Sequence, residues 1–390
     1  MKKQLLVIVL ILGVLIVDAQ NYWFKKIESP NYQQPVGDIL IKDGEYYFSI
    51  VESDMPQTYF GQYHSIINKI NNQGEIEQSS IFHAEKKNLL GTMSQLSNGN
   101  ILAMGHIYMP EQDGIFGFWQ IEFDEDFCVI EEKLDTNDIG FGYIMNSIPD
   151  NNNGFIYHLS VASAPFNLDF EKTYLVRTNS DKTLINDTVF NVWSFDIAPN
   201  FTADNSYCNA FHYSGEGNWV DSSAANKIDT NFNEVHFQVF DTAGFWFHTP
   251  NHNGIDTFEE RVYVGGNFGY FGQDQYYSNY VSLVIMDTSL NILEQRFYGG
   301  DGNYMLNSIK VTPEGDVLLL GHCSDVGPNV WNTFILKVDG DGLLTSSNSN
   351  MQIPIKNAIV LPNPGRNYLE LHTAEYPAEF LLYDINGKSQ

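Results

Sequence analysis

The chain has 390 residues, 43% of them hydrophobic and 14% aromatic, and its 20 Lys+Arg against 48 Asp+Glu give a formal net charge of -28. That much apolar surface offsets the entropy of ordering, which excludes an intrinsically disordered chain. The acid excess excludes nucleic acid as a partner, because phosphates need a basic footprint, and it disfavours anionic membrane surfaces.

At the N-terminus, Lys2 and Lys3 precede an apolar run from Leu5 to Val17, broken only by Gly13, and small residues stand at Val17 and Ala19. This is the pattern of a secretory signal peptide over residues 1–19, cut after Ala19. The run is shorter than the ~20 residues a bilayer span needs. No later stretch is apolar enough to cross a membrane, so the mature chain is expected to carry no integral membrane span and to work outside the cytoplasmic membrane. It has three widely spaced cysteines, Cys128, Cys208 and Cys323. They make neither a disulfide framework nor a metal motif and read as small buried hydrophobes, with one long-range disulfide as the alternative.

Beyond the signal peptide one local pattern recurs: an apolar strand, an Asp or Asn, a short polar turn, then a second strand. Its markers stand at Asn71, Asp124, Asn179, Asp229, Asp287 and Asp339, at separations of 53, 55, 50, 58 and 52 residues. Before these come hairpin-like pairs of β-prone runs around Gly-containing turns, clearest at Ser94–His106 and Ser308–His322, weaker near Ile39 and Ser147. Together they supply four strands per repeat, and no long segment keeps helical periodicity. Residues 20–350 therefore read as an all-β domain, a β-propeller of six four-stranded blades, with seven as the alternative count. A solenoid or stacked sandwiches fit the period less well. The last copy stops after its third strand, and Tyr22–Ile27 resembles an outer strand. The N-terminal strand is thus expected to complete the last blade and close the ring.

In such a meander the turns after strands one and three share one face and are short here. The loops after strand two are long and share the other face, where function on a rigid scaffold usually sits. Tyr108, Trp219, Asp221, Tyr270, Asp274, Tyr276, Tyr277 and Trp331 are the candidate ligand residues on that face. Aromatic rings beside acids suit glycans, although the same rings also suit packing of the loops onto the sheets. His106 and His322 occupy matching repeat positions and read as structural residues rather than metal ligands. Asp339-Gly340-Asp341-Gly342 resembles part of a calcium loop but lacks the later bidentate Glu, so it reads as a turn. No metal and no cofactor is expected; adventitious calcium is the one exception left open. No nucleophile elbow, zinc-protease helix, phosphate loop or dinucleotide fingerprint occurs, and no catalytic residue is assigned.

From residue 351 the repeat gives way to a tail in which Leu361-Pro362-Asn363-Pro364 precedes an alternating strand, Tyr368 to His372. A second strand, Glu379 to Tyr383, ends in Asp384-Ile385-Asn386-Gly387-Lys388. This segment resembles the start of a type IX secretion C-terminal sorting domain, through Pro362, Asn363 and Pro364 and through the turn of Tyr383, Asp384, Gly387 and Lys388. The resemblance implies a small β-sandwich over residues 351–390, incomplete here because the sequence stops after that turn. It also implies passage through the periplasm to the outer cell surface or the medium, with the type IX machinery as a partner. The functional expectation is a surface or extracellular binding module for glycans or surface proteins. A secreted polysaccharide hydrolase or lyase with acids on the long-loop face is the alternative, and a purely structural scaffold is the second.

Overall fold

The computed structural model describes residues 22–28, 32–53, 63–109, 115–135, 141–149, 155–162, 170–178, 184–190, 200–201, 207–214, 221–229, 234–240, 247–248, 253–268, 279–300, 302–324, 331–344, 359–361 and 370–372. The expected signal peptide and the boundary at residue 350 lie outside them. Among the described residues every regular element is a strand. A first strand, β1(Trp23–Ile27), is followed by sheet I, formed by β2(Tyr32–Lys42), β3(Glu45–Ser53), β4(Tyr63–Ile70) and β5(Ile76–Ile81). Sheet II holds β6(Asn88–Gln95), β7(Ile101–Met109), β8(Ile115–Phe123) and β9(Val129–Asp135), and sheet III β10(Phe141–Pro149), β11(Phe155–Ala162), β12(Phe170–Thr178) and β13(Leu184–Phe190). Sheet IV holds β14(Asn200–Phe201), β15(Tyr207–Ser214), β16(Asp221–Ile228) and β17(Glu234–Phe240). Sheet V holds β18(Phe247–His248), β19(Ile255–Phe258), β20(Arg261–Phe268), β21(Tyr280–Asp287) and β22(Ile292–Gly299), its innermost position shared by β18 and β19. Sheet VI holds β23(Asn303–Val311), β24(Val317–Ser324) and β25(Asn332–Val338), in the order β1-β25-β24-β23. The tail contributes β26(Ile359–Leu361) and β27(Glu370–His372), paired with each other; the expected sorting residues Pro362, Asn363, Pro364, Tyr383, Asp384, Gly387 and Lys388 lie outside the described residues.

Each sheet is an antiparallel meander, and the core is a set of layers between consecutive sheets. Tyr47 and Ile67 of sheet I meet Leu90 and Trp119 of sheet II. Tyr263 and Leu283 of sheet V meet Leu306 and Phe334 of sheet VI, and Cys208 and Ala225 of sheet IV meet Val264 and Met286 of sheet V. This explains the composition of the strands. A middle strand is covered on both faces, so β24 and β25 are buried at every position, with continuous apolar stretches at Val317 to Leu320 and Phe334 to Leu336. An outer strand such as β5 is mostly exposed.

Four of the six repeat markers hold the turns after third strands. Asn71 Oδ1 accepts the backbone N–H of Gln73 and Glu75, and Asp124 Oδ1 those of Asp126 and Cys128. Asp287 Oδ1 accepts from Ser289 and Asn291, and Asp339 Oδ1 from Asp341 and Leu343. The residue three after each marker is left-handed: Gly74 at φ 77°, Phe127 at 59°, Leu290 at 62° and Gly342 at 73°. Asp339-Gly340-Asp341-Gly342 thus has the hydrogen bonding of its three counterparts. Asp287→Ala is expected to cost about 1–2 kcal/mol for its two backbone bonds and the one its Oδ2 accepts from Asn291 Nδ2. Asp287→Asn should be near neutral in chemical denaturation, since Asn71 does the same work with an amide.

The same turns join the sheets. Gln78 Nε2 on β5 donates to the Asp126 carbonyl of sheet II at 3.1 Å, and Tyr298 Oη on β22 donates to the Gly342 carbonyl of sheet VI at 2.8 Å. Trp23 Nε1 on β1 donates to the Asn72 carbonyl of sheet I at 2.8 Å, and Lys25 pairs with Glu75. The first strand therefore stands to sheet I as β5 stands to sheet II. The N-terminal strand completes the last sheet as expected: Trp23 to Ile27 runs antiparallel to Lys337 to Thr333.

Candidate functional site

Five of the eight candidate ligand residues, Trp219, Tyr270, Asp274, Tyr276 and Tyr277, lie outside the described residues. Tyr108 and Asp221 belong to strands rather than to the long loops in which they were expected. Tyr108 pairs with Phe116 across β7 and β8, and Asp221 with Ser214 across β15 and β16.

Trp331 is described in full. It precedes β25, is partly buried, and its ring meets that of His322 edge-on at 4.8 Å. His322 Nδ1 bonds Asn307 Oδ1 at 2.8 Å, so the imidazole that supports the indole is itself held from β23. The Gln33 N–H donates to the Trp331 carbonyl at 3.3 Å, and Gln33 Nε2 donates to Glu52 Oε2 at 2.9 Å. Trp331 therefore lies on the seam between sheets VI and I, at the end of the sheet that carries the loop after strand two.

His106 and His322 do occupy equivalent places, each on the second strand of its sheet after a glycine. They sit in sheets II and VI and are both buried. Burial pushes the His106 pKa down to about 4, which leaves it neutral under ordinary conditions. Among the described residues no three His, Cys, Asp or Glu side chains converge to hold a metal ion. Cys208 and Cys323 are buried in the core layers, whereas Cys128 is exposed beside the Asp124 turn.

The sequence reading missed a polar cluster on the innermost strands. Asp38 lies where the register of β2 shifts between Pro35 and Ile39, directly after Gly37 at φ 87°. A Cβ on Gly37 would stand 1.7 Å from the Gly91 carbonyl oxygen, so only glycine lets sheets I and II approach here. Asp38 Oδ1 accepts from Asn253 Nδ2 at 2.8 Å, from Ser308 Oγ at 3.3 Å and from the Ile39 N–H at 2.7 Å. Lys310 Nζ lies 3.8 Å from Asp38 and 3.7 Å from Asp256, whose Oδ2 also accepts the Val311 N–H at 2.7 Å. Asn253, just ahead of β19, is bridged to Ser308 of sheet VI and bonds Asp38 of sheet I, so the cluster ties sheet I to the start of sheet V across sheet VI. Burial pushes the Asp38 carboxyl above its ordinary range, against the pull of Lys310 and the Asn253 bond. Burial also opposes the Lys310 ammonium, but the charges of Asp256 and Asp38 prevail and raise its pKa. A lysine held protonated between two acids is a poor nucleophile and a good structural counter-ion. The single sequence signal was a Gly-Asp pair and a lone Lys interrupting apolar strands.

No family model and no curated protein matches the chain. Among solved structures it is similar to a protein of unknown function from Dyadobacter fermentans, at 11% identity over 81% of this chain and 99% of that one, with a TM-score of 0.54. It is also similar to a luciferin-regenerating enzyme (11% identity, 83% and 99% covered, TM-score 0.49) and to the polysaccharide lyase Uly1 (9%, 82% and 92%, 0.41). At such identity the first of these likenesses bears on the fold alone, and with the sheet order described above the chain is an all-β protein of β-propeller-like architecture.

Proposed function

We propose that this chain is an exported six-bladed β-propeller that acts as a binding module at the cell surface or in the medium, with glycans as the ligand class and the long-loop face as the binding face. Delivery by type IX secretion is part of the same reading and rests on the sequence motifs at Pro362–Pro364 and Tyr383–Lys388. The observation that carries the binding role is Trp331, a partly exposed indole on that face whose ring is oriented by a buried, hydrogen-bonded His322. A pre-oriented aromatic plane suits the C–H face of a sugar ring and loses little entropy on binding. The axial acids favour binding over catalysis, since Lys310 and backbone N–H groups already occupy them.

The test is a glycan and protein array probed with the chain from Gln20 onward. Binding to a polysaccharide class is expected, weakened about tenfold by Trp331→Ala, as for a typical interface anchor. An array without any binder, or binding unchanged by Trp331→Ala, Trp219→Ala and Tyr276→Ala together, would leave the scaffold reading. Release of shortened oligosaccharides would establish the hydrolase or lyase reading instead.

A further inference from the structure

The connection from sheet I to sheet II, residues 82–87, is described throughout and carries a second cluster, independent of any ligand on the long-loop face. His83 Nδ1 lies 3.0 Å from Glu85 Oε1, and its Nε2 lies 2.7 Å from Glu132 Oε1 on β9. A carboxylate oxygen only accepts, so each of these bonds requires a proton on the ring nitrogen. Both exist together only when the ring is an imidazolium. The same Glu132 oxygen accepts the indole N–H of Trp119 at 2.8 Å, and the His83 and Trp119 rings meet edge-on at 5.6 Å. Trp119 is fully buried in the layer between the two sheets. The connection is otherwise wrapped around Asn88, whose amide donates to the carbonyls of Phe82, His83 and Lys86. His83 itself holds a left-handed backbone at φ 49°, a conformation that needs outside support in a non-glycine residue.

We propose that His83 is a pH-operated clasp that pins the connection between the first two sheets to the outer strand of sheet II when protonated and releases one end when neutral. The charges facing the ring are Glu85 from the connection and Glu132 from β9, with Lys86 acting on Glu85. Lys87 turns elsewhere, with its Nζ 6.0 Å from the Tyr63 ring. Partial burial disfavours the imidazolium, and the bonds to Glu85 and Glu132 outweigh it, so the ring titrates above the ordinary histidine value. Loss of a proton leaves one nitrogen lone pair facing a carboxylate. The Glu132 contact persists, because Trp119 fixes that carboxylate and it is less exposed than Glu85. The Glu85 end therefore lets go. The clasp is closed while the ring is protonated and opens at its Glu85 end as pH rises through the raised His83 pKa, on the face that carries the long loops.

The experiment is a titration of the mature protein followed by histidine side-chain NMR and by tryptophan emission, with His83→Gln identifying the signals. The expected His83 midpoint lies above about 6.5, the unperturbed value. An emission change with the same midpoint is expected, since Trp119 shares the clasp, and it should vanish in His83→Gln. Glu132→Gln and the solvent-exposed Glu85→Gln should each lower the midpoint. Glu85→Gln gives a reading even if the other variants fold poorly. A wild-type midpoint at or below 6.5, a midpoint unmoved by Glu85→Gln, or an emission step that survives in His83→Gln would overturn the proposal.

Discussion

Replacing Trp23 by Ala is expected to lower the folding free energy by about 3–5 kcal/mol, the range for losing a large buried aromatic side chain. The indole is 5% exposed and packs in one layer with Tyr46, Phe48, Leu318 and Ile335. Its N–H bond to the Asn72 carbonyl joins the first strand to sheet I, and Gly74 lies against its ring. The contact is thus lost at the one junction where the two ends of the domain meet. Removing residues 22–27 altogether should do more than the point change. It would strip β25 of its outer partner and leave an open edge on an almost fully buried strand. Urea denaturation followed by tryptophan-independent far-UV dichroism measures both effects. A change below about 1 kcal/mol for Trp23→Ala would mean that the ring is not held at this seam.

The completion of the last sheet by the N-terminal strand was legible in the sequence because it depends on patterns that survive in one dimension. The repeat markers are asparagine or aspartate for a stereochemical reason: one side-chain oxygen accepts two backbone N–H groups of the turn, as seen at Asn71, Asp124, Asp287 and Asp339. Tyr22 to Ile27 resembles the outer-strand segments of other copies, such as Leu293 to Tyr298, and the last copy stops after its third strand. The site was less legible. Trp331 could be placed on the long-loop face, but its support by His322 and Asn307 depends on a register between strands that spacing does not encode. Asp38, Asn253, Asp256 and Lys310 come together from positions more than 200 residues apart. Each reads alone as a polar interruption of an apolar strand, and only the arrangement of sheets V, VI and I turns the interruptions into one network. His83 was hidden for a related reason. Its partner Glu132 is 49 residues downstream, about one repeat period, and it lies in an intersheet connection whose path no local propensity specifies.

That network carries the second large effect. Lys310→Met is expected to cost about 3–5 kcal/mol at pH 7, because removing one partner leaves buried charge without compensation. The change keeps the apolar stem and removes only the ammonium, so packing is not what is lost. Its pH dependence separates this cause from a general loss of fit. In the wild type the folded-state pKa of Lys310 is raised, so its contribution is complete below the unfolded lysine value and is lost as pH rises through the folded one. In the variant that alkaline loss should disappear. Asp38 behaves in the opposite way to an ordinary salt-bridged carboxylate. Its folded pKa stands above the unfolded value, so the folded state binds more protons in the window between them and stability falls as pH rises through it. Without Lys310 that window widens upward, and the variant should regain stability on acidification as Asp38 becomes neutral. Urea midpoints for both proteins at about pH 4.5, 7 and 11.5, the last above the unfolded lysine value, give the comparison. A deficit of the same size at all three would mean that Lys310 contributes through packing, and that the sheets are locked at the axis by the hydrogen bonds of Asn253 and Ser308 alone.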